Sequence, residues 1–301
     1  MAVTYESVSL VSWAGISAGS NISFTTPTGL AVGDLIIVHI ATNDEDTNGS
    51  LGSVGMASGF TLLGTLTNND SNGGVAIVVG YKVATSDDIS APQFNFPNNS
   101  GQGIGMAGAM YRISGWGAVP TMASASNNAT ATPSFGNTIT PPVADSLLLF
   151  LYTGTDSVGS SQSVSSYAIA TDNPTWTERY DQYGNLFAAF GAGNGISPLM
   201  SGATASRTAI TATGNSSCTI TDSYNYNSGA IVCIQPPVNA TVTPPVITIT
   251  ASIQDPTIGV AMSPSVISLS VSVPTPTVDV AVKIWTNQDK NSVSVTNQTK
   301  T

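Results

Sequence analysis

The sequence predicts an all-β protein, a β-sandwich built from two similar halves and followed by a proline-punctuated strand repeat. Three observations predict it. First, only 8% of the 301 residues are charged, with three Glu and four Lys, so the long side chains that fill exposed helix faces are nearly missing. Thr, Val, Ile and Ser take that space, and they favour strands and turns. Second, apolar residues come in short runs between Gly, Pro, Asn and Asp clusters, and no window keeps helical spacing for three turns. Third, the first 236 residues match themselves when the chain is laid against its own second half.

The strand-like runs are 34–41, 75–83, 108–113, 146–152, 186–190 and 230–234. Dense turn chemistry such as Asn68-Asn69-Asp70-Ser71-Asn72-Gly73-Gly74 separates them. The segment 32–44 matches 143–156, the second copy carrying one extra residue. Gly59-Phe60-Thr61-Leu62 then matches Thr175-Trp176-Thr177-Glu178. A strand follows each, at 74–80 and 185–191, and 108–113 finally matches 229–234. The halves run from about 15 to 117 and from 126 to 236. Neither half can bury both faces of its strands alone, so the two are expected to pack face to face as a sandwich of ten to twelve strands. The runs 34–41 and 146–152 should take equivalent places in it.

After Gln235-Pro236-Pro237 the character changes. Residues 246–262 and 266–282 form a 20-residue repeat with seven identities in seventeen positions. Ile247, Ile249, Ala251 and Ile253 alternate with Thr and Ser, as do Ile267, Leu269, Val271 and Val273, and the apolar parity switches after Pro256 and Pro276. Each copy reads as two short strands hinged at a proline. A lone hairpin with one apolar face is marginal in water. The region 237–285 is therefore expected to act as a stalk or docking module, completed by other copies or by a partner. Residues 286–301 read as a polar tail.

The net charge is −10, without any Lys or Arg cluster, which argues against nucleic acid as a partner. No apolar run approaches a membrane span. The N-terminal MAVTYESVSL has neither a basic nor a long apolar region, so no secretion signal is expected. Yet the Ser, Thr and Asn richness looks extracellular. A protein assembled in a host cytoplasm and exposed afterwards reconciles the two.

Candidate chemistry is sparse. His39, the one histidine, sits in mid-strand without a Gly-x-Ser-x-Gly elbow, and reads as a half-buried structural residue. No catalytic residue is assigned and no enzyme is expected. Asp44 and Asp46, in the acidic loop 43–48, offer alternating oxygen ligands for Ca²⁺, or else form a solvated turn; no other cofactor is expected. Trp176, Tyr180 and Tyr183 lie beside Asp181 and Gln182 and could stack on a carbohydrate, although Trp176 aligns with Phe60, which argues for core packing. Cys218 and Cys233 flank a plausible hairpin tip and form either a cross-strand disulfide or two buried thiols.

Several strings taken together resemble a wider group. They are 32–38, Gly59-Phe60-Thr61-Leu62-Leu63-Gly64-Thr65, 78–85 with Tyr81 and Lys82, Tyr111-Arg112-Ile113, Trp176-Thr177-Glu178-Arg179 and 203–209 with Arg207. They resemble jelly-roll-like β-sandwich modules of phage fibre and virion surface proteins, also found in bacterial surface proteins. The resemblance spans roughly residues 1–236 and implies a surface or adhesive role; it carries no catalytic residues. The expectation is a non-enzymatic phage virion protein exposed on the particle, as a capsid decoration, head fibre or tail-fibre component. It would contact other virion proteins or its own copies through 238–285, as a homo-oligomer, with a trimer the first guess. A host-surface glycan is a further expected partner. The alternative is an extracellular bacterial adhesin or carbohydrate-binding protein.

Overall fold

The computed structural model describes residues 2–44, 53–70, 73–101, 103–155, 162–184, 198–221 and 224–237. The chain divides into two compact units, Met1–Val242 and Thr243–Thr301. The repeat 246–282, the tail 286–301, the run 186–190 and Asp46 lie outside the described residues. Every described strand belongs to the first unit.

The fold is all-β, and its sheets are antiparallel. One five-stranded sheet has the order β1 (Thr4–Ile16), β7 (Ile104–Ser114), β3 (Leu35–Asp44), β5 (Gly73–Val83), β4 (Thr61–Asp70). A second has the order β12 (Thr177–Tyr183), β13 (Leu199–Arg207), β10 (Ser146–Thr155), β15 (Tyr224–Ile234), β8 (Thr121–Thr130). Two smaller sheets complete the described fold: β2 (Asn21–Thr25) with β6 (Gln93–Pro97), and β11 (Val164–Ile169), β14 (Ser216–Ile220), β9 (Ser134–Phe135) in that order. One helical turn, α1 (Ser86–Ser90), follows β5. No described helix is long and apolar enough to cross a membrane.

Three apolar cores explain the layers. Leu35, Ile37, Ala41, Ile77 and Val79 from the first large sheet meet Leu147, Leu149, Leu151, Val232 and Ile234 from the second. The alternate residues of the same strands face outward. Ile36, Val38 and Ile40 pack under Ile22, Phe24, Phe94 and Phe96 of the β2–β6 pair. Leu148, Phe150 and Tyr152 pack under Phe135, Val164, Tyr167, Ile169 and Ile220 of the three-stranded sheet. Central strands covered on both faces need apolar residues at every position, which is why 146–152 reads as an unbroken run. Strands that cover one face only need alternation, and β2 and β6 show it, with buried and exposed residues in turn.

Two expectations change. The described residues form fifteen strands rather than ten to twelve; ten make the two large sheets, and the others cover outer faces that would otherwise expose Phe150 or Val38. The described strands also extend beyond the expected half-boundaries near 15 and 126. Residues before 15 already belong to β1, paired to β7 from Thr4, and β8 begins at Thr121. Both are edge strands with mixed exposure or polar sequence, so they lack the apolar run that marks the inner strands.

Candidate functional site

The polar side chains of the unit fall into an interior set and a surface set. In the interior, Tyr111 donates its hydroxyl to Tyr180 Oη at 2.8 Å, and Tyr180 Oη lies 2.8 Å from His39 Nδ1. The Tyr180 proton therefore goes to Nδ1, and Nε2–H donates to Thr153 Oγ1 at 3.3 Å. The chain of hydrogen bonds crosses between the two large sheets, since His39 and Tyr111 belong to one and Tyr180 and Thr153 to the other. His39 is fully buried rather than half-buried. Burial pulls its pKa down to about 3, so it stays neutral. Its position excludes contact with a substrate.

The predicted aromatic group does not come together. Tyr180 is buried between the large sheets, so its ring offers no face for a sugar. Trp176 and Tyr183 pack instead against the outer core of the second sheet, Trp176 edge-on to Phe150 with centroids 6.0 Å apart. Asp181 receives the Val164 N–H at 2.8 Å and, largely through burial, has its pKa raised. Cys218 and Cys233 are free and buried, and burial pushes both thiols up. They lie on β14 and β15, which belong to different sheets, so the hairpin expected around 223–229 is not a paired one. After Ile220 the chain passes from the covering sheet to the large one beneath it. The Ca²⁺ assignment to Asp44 and Asp46 lies outside the described side chains. Among the described residues, no three His, Cys, Asp or Glu side chains converge on a metal position.

A surface depression of about 550 Å³ lies where β13 ends and the chain enters β12. Asp172, Asn173 and Thr175 line it from one segment, and Ser206, Arg207 and Thr208 from the other. Asp172 holds a left-handed backbone at φ 48°, a conformation Asp tolerates better than most residues. Asn173 Oδ1 then accepts the Ile169 N–H and the Trp176 indole N–H, both at 3.0 Å, which fixes the turn. Arg207 is only 2% exposed. Its Nη1 donates to Thr211 O at 2.6 Å and its Nη2 to Thr211 Oγ1 at 3.1 Å, while Asp172 Oδ2 lies 3.7 Å from Nη2. Arg207 Nε is buried without a hydrogen-bond partner. The sequence alone gives Arg207 no evident role. The scarcity of arginine is the one signal that sets it apart, since only three occur in the chain.

A second depression, of about 490 Å³, lies beside the first large sheet, between the segment entering β4, the end of β5, α1 and the start of β6. Ser58, Lys82, Thr85, Asp88 and Phe94 line it. Here the cation is fully engaged. Lys82 Nζ donates to Asp88 at 2.6 Å and to Ser58 O at 3.3 Å, above the rings of Phe60 and Phe94.

No family model matches the chain, and neither a curated protein nor a solved structure matches it significantly.

Proposed function

We propose that this chain is a non-enzymatic structural protein of a virion surface, a capsid decoration, head fibre or tail-fibre component, built as a duplicated jelly-roll-like sandwich. The observation that carries the duplication is strand order. The first large sheet runs β1-β7-β3-β5-β4 and the second, from its other edge, β8-β15-β10-β13-β12. Each strand of one has a partner in chain order in the other, with β3 and β10 at the centres. The matched segments 108–113 and 229–234 add an independent sign. A Cβ on Gly108 would come within 2.2 Å of the Phe24 ring, and one on Gly229 within 2.5 Å of the Phe135 ring. Both rings come from the first short strand of the covering sheet in their half, and both need a glycine beneath them.

Such a double sandwich is a stiff block with one core shared by its halves. The reactive side chains it holds, His39, Cys218 and Cys233, are buried in its cores, which supports a structural rather than a chemical role. The virion surface itself is supported by the resemblance of the strings around Asp34, Tyr81 and Trp176, and by a weakly charged, acidic sequence suited to high copy number. Immunogold microscopy with antibodies against the full chain, on lysates of cells that encode it, tests the reading. Label on particle surfaces is expected. Label confined to the cell envelope would overturn it in favour of a bacterial adhesin.

A further inference from the structure

We infer that the outer edge of β8 is a self-association surface, on which a second copy of this chain adds its own β8 antiparallel across a twofold axis. The two large sheets end in four edge strands, and three of them are guarded. β1 has two register shifts against β7, at Tyr5/Ser7 and Val11/Ala14; β4 has one against β5 at Leu62/Gly64, and β12 one against β13 at Glu178/Tyr180. β1 also carries Glu6, β4 carries Asp70, and β12 carries Glu178, Arg179 and Asp181. Bulges twist an edge away from an incoming strand, and charges oppose its approach. β8 has neither device. Its sequence, Thr-Met-Ala-Ser-Ala-Ser-Asn-Asn-Ala-Thr, holds no charge, proline or glycine, and it pairs with β15 without a register shift.

The backbone groups that meet the partner follow from one side chain. Asn68 Nδ2 donates to Asn127 O at 3.2 Å and to Asn227 O at 3.0 Å. Asn127 and Asn227 are register partners, so one donor reaches both carbonyls only if both point between β8 and β15. Residues of an antiparallel strand alternate in this respect, which turns the N–H and C=O groups of Met122, Ser124 and Ser126 away from β15. Among the described residues, no strand pairs with that side of β8. β4 meets β8 through side chains on the inner face, where a Cβ on Gly64 would lie 2.9 Å from Met122 Sδ. The occupant is a second copy because twofold pairing uses both open edges at once, whereas a foreign strand would leave an outer edge of its own. An uncharged strand also meets itself without repulsion, although the whole chain carries −10. The inference does not rest on the virion reading, and it places an interface on the sandwich rather than on 238–285.

The test is sedimentation velocity of the full chain over a concentration series, beside Ser126→Lys and Ser126→Glu. Ser126 is exposed and lies in the middle of β8, so the fold tolerates either charge, while a twofold axis brings each charge close to its own copy. The parent should sediment as an even number of chains. Each variant alone should sediment at half the parent's mass, with an unchanged circular dichroism spectrum. Equal parts of the two variants, once mixed, should regain the parent's mass, because opposite charges then face each other across the axis. The inference is overturned if the parent stays a single chain, or an odd number of chains, at its highest soluble concentration. It is equally overturned if either folded variant keeps the parent's mass, or if the mixture remains at half of it.

Discussion

The two large sheets have the same strand order, but the layers outside them are made differently. In the first half Phe24, Phe60, Phe94 and Phe96 interlock edge to face, with centroids 5.1–5.5 Å apart. Its ion pairs are short: Arg112 to Asp34 and Lys82 to Asp88, each at 2.6 Å. In the second half the covering core contains Tyr152 and Tyr167, whose hydroxyls bond to Asn227 and Ser201. There Asp181 Oδ1 and Arg207 Nε are buried without partners, and the ion pair opens to 3.7 Å. The first region is sealed largely by hydrocarbon and closed ion pairs, with Asn43 Oδ1 buried there without a partner, and the second holds more such atoms.

The most severe way to break this comparison is at the matched glycines. Phe24→Ala and Phe135→Ala each remove a fully buried ring and should cost about 3–5 kcal/mol in chemical denaturation. Gly108→Ala and Gly229→Ala place a methyl where the ring now sits and should cost about 1–3 kcal/mol. The double variant Phe135→Ala/Gly229→Ala should lose clearly less than the sum of its singles, because the new methyl enters the vacated space, and Phe24→Ala/Gly108→Ala should do so to a smaller degree, since a Cβ on Gly108 also comes within 2.9 Å of the His39 carbonyl oxygen. Additive losses in either half would show that the two glycine–phenylalanine pairs are not equivalent devices.

These pairs also show what is legible in the sequence. Matching Gly108 to Gly229 needs only the strings that follow them, because a strand buried on both faces reads as a continuous apolar run. The covering strands are not legible. Asn21–Thr25 and Ser216–Ile220 alternate over five residues, too few to stand out in a chain rich in Ser and Thr. Tyr180 groups with Trp176 only because they are neighbours in sequence. A bulge between Glu178 and Tyr180 and the pleat of β12 direct Tyr180 to the central core, while Trp176 packs on the outer one. Arg207 is invisible as a site residue because its partners, Thr171, Thr211 and Asp172, come from two loops that the fold brings together.

The polar chain between the sheets gives a gentler test, in which pH is the variable. His39 is held near a pKa of about 3 in the folded protein, against 6.5 for an ordinary histidine. The unfolded chain therefore takes up a proton that the folded one refuses, and stability falls as pH drops below about 6.5. Between pH 6.5 and 4.5 the loss from this group should be roughly 2–3 kcal/mol. Asp181 and Glu178 act in the opposite direction, since burial raises their pKa values and their protonation on acidification favours the fold. The informative quantity is thus the difference between parent and His39→Gln across that range. The variant should be less stable at pH 7 but lose less on acidification. Parallel pH profiles would mean that His39 is not the group that senses acid.

The two ion pairs bear most directly on the contrast between the two sheets, and one of them carries the smallest effect. Asp88 accepts from Thr85 N at 2.9 Å, Thr85 Oγ1 at 2.8 Å and Lys82 Nζ at 2.6 Å, and its side chain is 6% exposed. Burial pushes its carboxyl up, but the Lys82 and Thr85 hydrogen bonds outweigh that and hold its pKa below the usual value. Asp88→Ala should cost about 2–3 kcal/mol, because it removes the N3 half of the Thr85–Asp88 capping box of α1 and leaves Lys82 charged over two phenyl rings. Lys82→Met in the Asp88→Ala background should recover part of that loss, since methionine fills the same space without a charge. Asp172 lines the depression at the end of β13, with its side chain 58% exposed, and accepts the Thr211 hydroxyl at 3.1 Å. Arg207 keeps its bonds to Thr211, Thr171 and Ala212 when Asp172 loses its charge, so Asp172→Asn, which still tolerates the left-handed backbone and can still accept from Thr211, should change stability by less than about 0.5 kcal/mol. Thermal melts of Asp88→Ala and Asp172→Asn under identical conditions decide the matter. A loss at Asp172 as large as that at Asp88 would mean that both ion pairs hold the fold to the same degree.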